Sequence, residues 1–395
     1  MISATTNRLR VSTLYVLPLF VMVMTPPSAI ASGRDSVISR TIEPGVTHLS
    51  IVKEGPYTIN VLVVDLSAKN LRIESYRPIG LVPTSQQAKR NDREGHRVVA
   101  AINADFFSFR LGWPVNNQIE KGEFVFGTQT QRSHLVVDGR GKVHIERVSF
   151  AGCVKSKAGN PYTISGINDV HRDDAMILHT SFSDTATRFN GSGKTFLLRL
   201  LNPAWSVCDT LRMVVTGIGT VDLSQIPSDQ AALWVGAGSQ ASAVGEGMKS
   251  GDTVLVYLGI QPRLRDVKTV LGGVGMIVAN GSRVSDSANV EERTNIAFLT
   301  ARHPRTFVGF DRDTTKLFLC TVDGRQQTSI GMNFREMADF LLSIGVWNAV
   351  NFDGGGSTTM VVQGKIVNSP SDKTGERPVA NTLQVIRLGP SANAR

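Results

Sequence analysis

The sequence predicts an α+β protein, with mixed β-sheets flanked by a few helices in a single large domain that has a strand-rich middle segment. Three observations lead there. Short runs rich in Val, Ile and Thr recur along the chain and are punctuated by 37 glycines, the pattern of strands joined by tight turns. Apolar spacing of helical period is confined to a few windows, clearest at Phe334–Ile344. Hydrophobic residues make up 41% and charged residues 19% of the 395 residues, a balance that lets the chain bury a core and argues against disorder.

The elements follow in order from the N-terminus. Arg8 and Arg10 precede an apolar run from Val11 to Met24, and Ala29-Ile30-Ala31 puts small residues where a signal peptidase reads them. This predicts a cleavable signal over residues 1–31, with cleavage after Ala31 and a secreted or periplasmic mature protein. Pro18 interrupts the run, which falls short of the ~20 residues a spanning helix needs, and later runs are shorter still. No integral membrane span is therefore expected after cleavage. Residues 32–41 read as a flexible leader and 42–388 as the domain. Its site-bearing parts, 82–150 and 270–388, enclose the middle segment 151–269, and 389–395 form a tail. Tyr57–Asp65 and Leu71–Tyr76 read as paired strands joined by a turn at Lys69-Asn70. Thr84 and Gln87 resemble a capping box that opens a helix to about Arg93, and Arg97–Asn103 is a mostly apolar buried strand. Leu135–Glu146 reads as a hairpin turned at Asp138-Gly139.

From Phe150 to Asp266 the chain shows short strands, glycine turns and one amphipathic stretch near Ser239–Met248, with few convergent polar groups. Asn280-Gly281 is a strong hairpin signal. Phe334–Ile344 is the clearest helix. Asn333 and Glu336 form a capping pair, apolar residues fall at 334, 337, 338, 341 and 342, and Gly345 supplies the left-handed stop. Strand Asn348–Phe352 then ends at Asp353, placing polar groups at a strand's carboxyl end, where ligands commonly bind. The net charge of +9 suits either a solvated surface or attraction to an anionic glycan or phosphodiester, and export excludes nucleic acid as the partner. Three cysteines allow one disulfide; Cys153 with Cys208 is the expected pair because both lie in the middle segment. No cysteine or histidine spacing suggests zinc.

Three segments break a strand pattern with polar residues beside glycine or aromatic residues. Asn103-Ala104-Asp105-Phe106-Phe107 ends an apolar strand, and Asn103 and Asp105 are either a polar cap on that strand or site groups. His303-Pro304-Arg305-Thr306 leads into strands Phe307–Asp311 and Leu317–Val322 and then Asp323-Gly324-Arg325. His303, Arg305 and Arg325 together offer an imidazole and two guanidiniums, which bind phosphate oxygens in fixed geometry. The third segment is Asn351–Thr359 (NFDGGGSTT), with Asn368, Glu376 and Arg377 downstream. Gly354, Gly355 and Gly356 can turn successive N–H groups toward one anion, and the Ser357 and Thr358 hydroxyls would add donors. A plain hairpin needs one or two residues of positive φ, and each surplus glycine costs roughly 0.5–1 kcal/mol of chain entropy, so three in a row favour a functional loop. The loop lacks the Gly-Lys-Ser/Thr ending of a phosphate-binding P-loop, and Gly272–Gly275 lacks the dinucleotide pattern. With neither a G-x-S-x-G nor an H-E-x-x-H motif, the acid/base candidates are Asp105, Asp323, Asp353 and Glu376. No cofactor is demanded; if a divalent cation binds, Asp353 with Asn351 would bias it toward calcium or magnesium.

INADFF (Ile102–Phe107), HPRTFVGFD (His303–Asp311), TVDGR (Thr321–Arg325), GMNFREMADFLLSIG (Gly331–Gly345), NFDGGGSTTMVV (Asn351–Val362), VNSPSD (Val367–Asp372) and GERPVAN (Gly375–Asn381) resemble, in order, the motifs of the phosphodiester glycosidase family. Its members include uncovering-type enzymes that remove N-acetylglucosamine from sugar-phosphate diesters. The resemblance spans Val82 to Leu388, with one departure: Ala104-Asp105 stand where family members often show Asn-Gly. It implies a hydrolase whose substrate is a glycosyl phosphodiester or a phosphate-containing glycan. Asp353, or alternatively Asp323, would be the central carboxylate. Asn103, Asp105, His303 and Arg305 would complete the machinery, with Arg325, Gly354–Gly356, Ser357, Thr358, Asn368, Glu376 and Arg377 around the phosphate. Two other readings remain open at this point: a non-catalytic binding protein for an anionic envelope polysaccharide, and an enzyme of exopolysaccharide or wall-glycan assembly. All three segments are expected to converge on one cleft.

Overall fold

Tyr57–Asp65 carries the unbroken apolar run Val61–Val64 because both of its faces are covered. Leu62 and Val64 join one core, and Ile59 and Val61 join another. A strand covered on one face alone would alternate. The computed structural model describes residues 35–389, apart from 157–158, 185–191, 221, 240–241 and 243–246, and these lie within one compact unit. The signal expected over residues 1–31 and most of the Ser239–Met248 stretch lie outside the described residues.

Among the described residues the architecture is strand-rich, with several sheets and few helices. An eight-stranded antiparallel sheet runs in the order Ser36–Glu43, Val46–Lys53, Tyr57–Asp65, Lys316–Val322, Arg305–Asp311, Val346–Asn351, Met276–Ala279 and Ser282–Arg283. A five-stranded sheet runs Lys365–Ile366, Met360–Val362, His96–Asn103, Thr382–Leu388 and Leu71–Tyr76. The two share a core in which Val308, Phe310 and Leu319 of the first join Ile102, Met360 and Val385 of the second. Helix Phe334–Ser343 contributes Met337, Ala338 and Leu341 to the core that includes Phe307, Val278 and Ala349 of the larger sheet. Its capping box between Asn333 and Glu336 is present as expected, and Gly345 takes φ +83°. The middle segment contributes most of a twelve-stranded sheet whose core runs from Ile119 to Val270.

Several sequence expectations change here. Tyr57–Asp65 and Leu71–Tyr76 have the expected bounds but belong to different sheets. The first is flanked by Val46–Lys53 and Lys316–Val322, and the second pairs with Thr382–Leu388. Residues 36–41 of the expected leader belong to strand Ser36–Glu43, paired with Val46–Lys53. Helix Thr84–Asn91 has Pro83, not Thr84, at its N-cap, with no side-chain cap from that residue. Gln87 Nε2 instead donates to the Val82 and Val379 carbonyls. Cys153, Cys208 and Cys320 are free thiols. Strand Thr253–Gln261 lies between Val143–Lys155, which carries Cys153, and Asp209–Ile218, which begins just after Cys208. Two inter-strand spacings amount to roughly 9–10 Å, beyond the ~7 Å between Cα atoms that a disulfide tolerates.

Candidate active site

The polar ends of three strands are tied together by their own backbone. Asn103, fully buried at the end of His96–Asn103, donates from Nδ2 to the Asp353 carbonyl at 2.7 Å. Its Oδ1 accepts from the Thr306 hydroxyl at 2.7 Å and from the Thr359 N–H at 3.1 Å. The Phe352, Asp353 and Gly355 N–H groups donate to the Thr306, Ala104 and Pro304 carbonyls, each at 2.8 Å. The INADFF strand, the His303 segment and the DGGGS loop therefore meet in one place.

The glycines of that loop answer to close approach. A Cβ on Gly354 would lie 2.6 Å from the Pro304 carbonyl oxygen, and one on Gly355, which has φ +63°, would lie 3.1 Å from an Arg325 guanidinium nitrogen. One on Gly356 would collide with the Asp372 carboxylate and Arg377. The expected anion cradle is thus only partly available. Gly354 N–H donates to Asp353 Oδ1 at 2.9 Å and Gly355 N–H to Pro304 O. Glycine here lets the loop lie against a backbone carbonyl, a guanidinium and an ion pair at once.

Asp353 is the carboxylate at the centre. Burial pushes its carboxyl up to about 6, against the Ser357 hydroxyl, the Gly354 N–H and the charges of Arg377 and Arg305, which all favour its ionised form. The buried hydroxyls of Thr358 and Thr359 complete no hydrogen bond, so donors remain for an oxygen-rich ligand.

Arg305 is 1% exposed. Nε donates to the Met332 carbonyl at 3.1 Å, and Nη2 donates to those of Phe298 and Ala301 at 2.7 and 2.9 Å. Its guanidinium lies 4.4 Å from the Phe298 ring centre and 5.3 Å from that of Phe334. Burial lowers its pKa to about 9, which leaves it charged at neutral pH. Burial, followed by the charges of Arg305 and Arg325, holds the His303 imidazole below its usual range and so neutral at pH 7. Arg325 is exposed. Arg377 is gripped by Asp372 through two bonds of 2.8 and 3.0 Å, the bidentate geometry that fixes a guanidinium.

The remaining predicted residues sit around this centre in supporting positions. Asp323 is 3% exposed and accepts from Asn368 Nδ2 at 3.1 Å and from Ser369 N–H at 3.0 and 3.1 Å; burial raises its pKa. Asn368 also bonds Thr358 O and Met360 N, so the pair clamps the segment that follows the glycines. Asp105 bonds the backbone and side chain of Asn116, and burial pushes it up to about 7. Its own N–H goes to Asn381 Oδ1, so it braces the loop after the strand. Glu376 receives Ser85 N–H at 2.7 Å and the Ser85 hydroxyl at 2.5 Å, supplying from far along the chain the acceptor that Pro83 lacks at the start of helix Thr84–Asn91.

Asp372 was not singled out from the sequence, although it closes the VNSPSD motif five residues before Arg377. Asn351 donates Nδ2 to Val274 O, and its buried Oδ1 has no partner. Asn351 and Asp353 alone supply few of the roughly six to eight oxygens calcium takes, and no group of three His, Cys, Asp or Glu residues poised for a metal occurs among the described residues. A cleft of about 560 Å³ between Val64–Glu74 and Val137–Gly141 contains none of the predicted residues, and Asp65 and Asp138 in it are committed to their own turns.

Residues 214–386 match the phosphodiester glycosidase family. Over 110 residues, 26% of this chain and 20% of the relative, the sequence is 41% identical to the N-acetylglucosamine-1-phosphodiester alpha-N-acetylglucosaminidase of Bos taurus. Over 94 residues, 24% of this chain and 14% of the relative, it is 42% identical to the SPbeta prophage-derived uncharacterized protein YomE of Bacillus subtilis. The chain therefore spans a fifth or less of these relatives' lengths. The crystal structure of a hypothetical protein from Synechocystis shares the fold with a TM-score of 0.69 and 18% identity, over 89% of this chain and 64% of that one.

Proposed function

We propose that this chain, whose residues 214–386 match the phosphodiester glycosidase family, hydrolyses a glycosyl phosphodiester and releases a free sugar and a phosphomonoester. The observation that carries the reading is a single carboxyl, Asp353, held near pKa 6 within the field of two fixed guanidiniums, Arg305 and Arg377. Breaking the bond between the anomeric carbon and the phosphate oxygen leaves positive charge on the sugar and negative charge on the phosphate. Ionised Asp353 answers the first, stabilising an oxocarbenium-like centre or activating the attacking water. Arg305, Arg325, Arg377 and the neutral imidazole of His303 answer the second. A phosphomonoester is a better leaving group than a sugar hydroxyl, so electrostatic stabilisation matters more than protonation, at ~3–4 kcal/mol per well-placed donor. Asp323 and Asn368 act by holding the loop.

The test is a panel of α- and β-glycosyl phosphodiesters incubated with purified protein, with and without chelator. Turnover of at least one anomer, insensitive to chelator, is the expected result. Tight binding of an anionic glycan with no member hydrolysed would replace the hydrolase by a binding protein.

The reading includes export. No described helix is long and apolar enough to cross a membrane. Expressed with its full N-terminus in a secreting bacterial host, the mature chain is expected to begin at Ser32 on N-terminal sequencing. A mature protein that retains residues 1–31 would reject the signal.

A further inference from the structure

Phe109 is 70% exposed, and the loop that carries it does not need it there. Between Phe106 and Val115 the backbone closes on itself. Ser108 N–H donates to Trp113 O and Gly112 N–H to Ser108 O, both at 2.8 Å, and Val115 N–H donates to Phe106 O at 3.0 Å. At the base, Trp113 is buried and donates Nε1 to Asp184 at 2.9 Å. The tip is therefore ordered by bonds that leave the Phe109 ring outside, against Phe107 at 4.9 Å between ring centres. Isolated exposed apolar residues are ordinary. What distinguishes this one is the cation beside it: the Arg377 guanidinium lies 5.6 Å from the ring centre. Asp372 fixes that guanidinium through two bonds, and its charge is felt by Asp353. The residues thus form a sequence from the central carboxyl, through the phosphate-binding guanidinium, to a flat apolar face open to solvent.

Resting on the glycosidase reading, we propose that Phe109 is a specificity-determining residue, the stacking platform for a pyranose ring esterified on the far side of the phosphate. With the anomeric carbon at Asp353 and the phosphate at Arg377, the second ester group extends toward Phe109. The axial C–H face of a pyranose is apolar and matches an aromatic face, while its hydroxyls stay in water at the rim. The same ring would give little to a short alkyl ester.

Two diesters with the same glycosyl group test this, one carrying a methyl pyranoside as the second ester and one carrying only methyl. Wild-type protein is expected to favour the pyranoside ester through KM. Phe109→Ala is expected to raise KM for the pyranoside ester about fivefold, to leave kcat and the methyl ester within about twofold, and Phe109→Trp to restore the preference. Equal effects on both esters, or none, would overturn the platform while turnover upheld the glycosidase. If neither ester is hydrolysed, the glycosidase reading fails, and calorimetric titration of both esters decides the platform alone. Discrimination lost in Phe109→Ala would support it, and discrimination unchanged or never present would end it.

Discussion

Asp353→Asn is expected to lower kcat by about 10³-fold or more, within the range that a positioned acid or base contributes, without destabilising the fold. Asparagine keeps an oxygen for the Gly354 N–H, which is the hydrogen bond Asp353 Oδ1 accepts at 2.9 Å, and exchanges the other carboxylate oxygen, with its charge, for an NH2 group of nearly the same size. The sign of the stability effect follows from the pKa. Burial raises the carboxyl from 3.8 to about 6, so the folded state holds its proton more tightly than the unfolded chain does. Between pH 4 and 6 the folded state binds more protons, and this residue's contribution to stability falls as pH rises through that window. Above pH 6 the ionised carboxylate is a net cost to folding that asparagine does not carry, so thermal unfolding at pH 7 should find the variant at least as stable as wild type. In the wild type, kcat/KM should rise with pH through an apparent pKa near 6, because the ionised form is the working one. Phosphomonoester release within tenfold of wild type by the variant would remove Asp353 from the chemistry. A wild-type rate that falls as pH rises through 6 would mean that the protonated form works and would recast Asp353 as a general acid.

Gly354→Ala is expected to cost about 2–4 kcal/mol of stability, the range of a buried steric clash combined with a strained polar contact, and to take most of the activity with it. The added methyl would sit 2.6 Å from the Pro304 carbonyl oxygen. That oxygen belongs to the backbone and already accepts the Gly355 N–H, so relief requires the loop to move away from the His303 segment. Because Asp353 precedes the loop directly and Arg305 follows Pro304, any such movement separates the carboxyl from its cations. Urea unfolding should show a lower midpoint with an unchanged slope, and the residual folded protein should have reduced kcat. Wild-type stability in this variant would show that the close approach is not required. Gly364→Ala is a useful reference, since its Cβ would meet nothing within 4 Å although its φ of +75° adds ordinary backbone strain.

Element identity was legible from the chain because it depends on short-range patterns. The bounds of Tyr57–Asp65 and Leu71–Tyr76 agree with their apolar runs, and the helix at Phe334 starts at an asparagine and stops at a glycine for reasons contained within a few residues. The prominence of Asp353 was legible too, as a carboxylate at a strand end followed by more glycine than a turn requires. Partner choice was not. Two strands close in sequence joined different sheets because each pairs with a strand distant in the chain, Lys316–Val322 for one and Thr382–Leu388 for the other, and nothing local encodes a partner hundreds of residues away.

The surroundings of the polar residues depend on tertiary contacts in the same way. Glu376, Asp323 and Asp105 look like Asp353 in sequence, as carboxylates within motif segments. Tertiary contacts commit the first to a helix start 291 positions away, the second to Asn368 and Ser369, and the third to Asn116. The glycines that suggested an anion cradle turned out to mark close approach to Pro304, Arg325 and the Asp372–Arg377 pair. The sequence by itself determined which residue types stand at strand ends and where the backbone must be free of side chains. Only the tertiary structure decided which carboxyl lies in the field of fixed guanidiniums and which are bonded as braces, because burial and the direction of each hydrogen bond are properties of the packed chain.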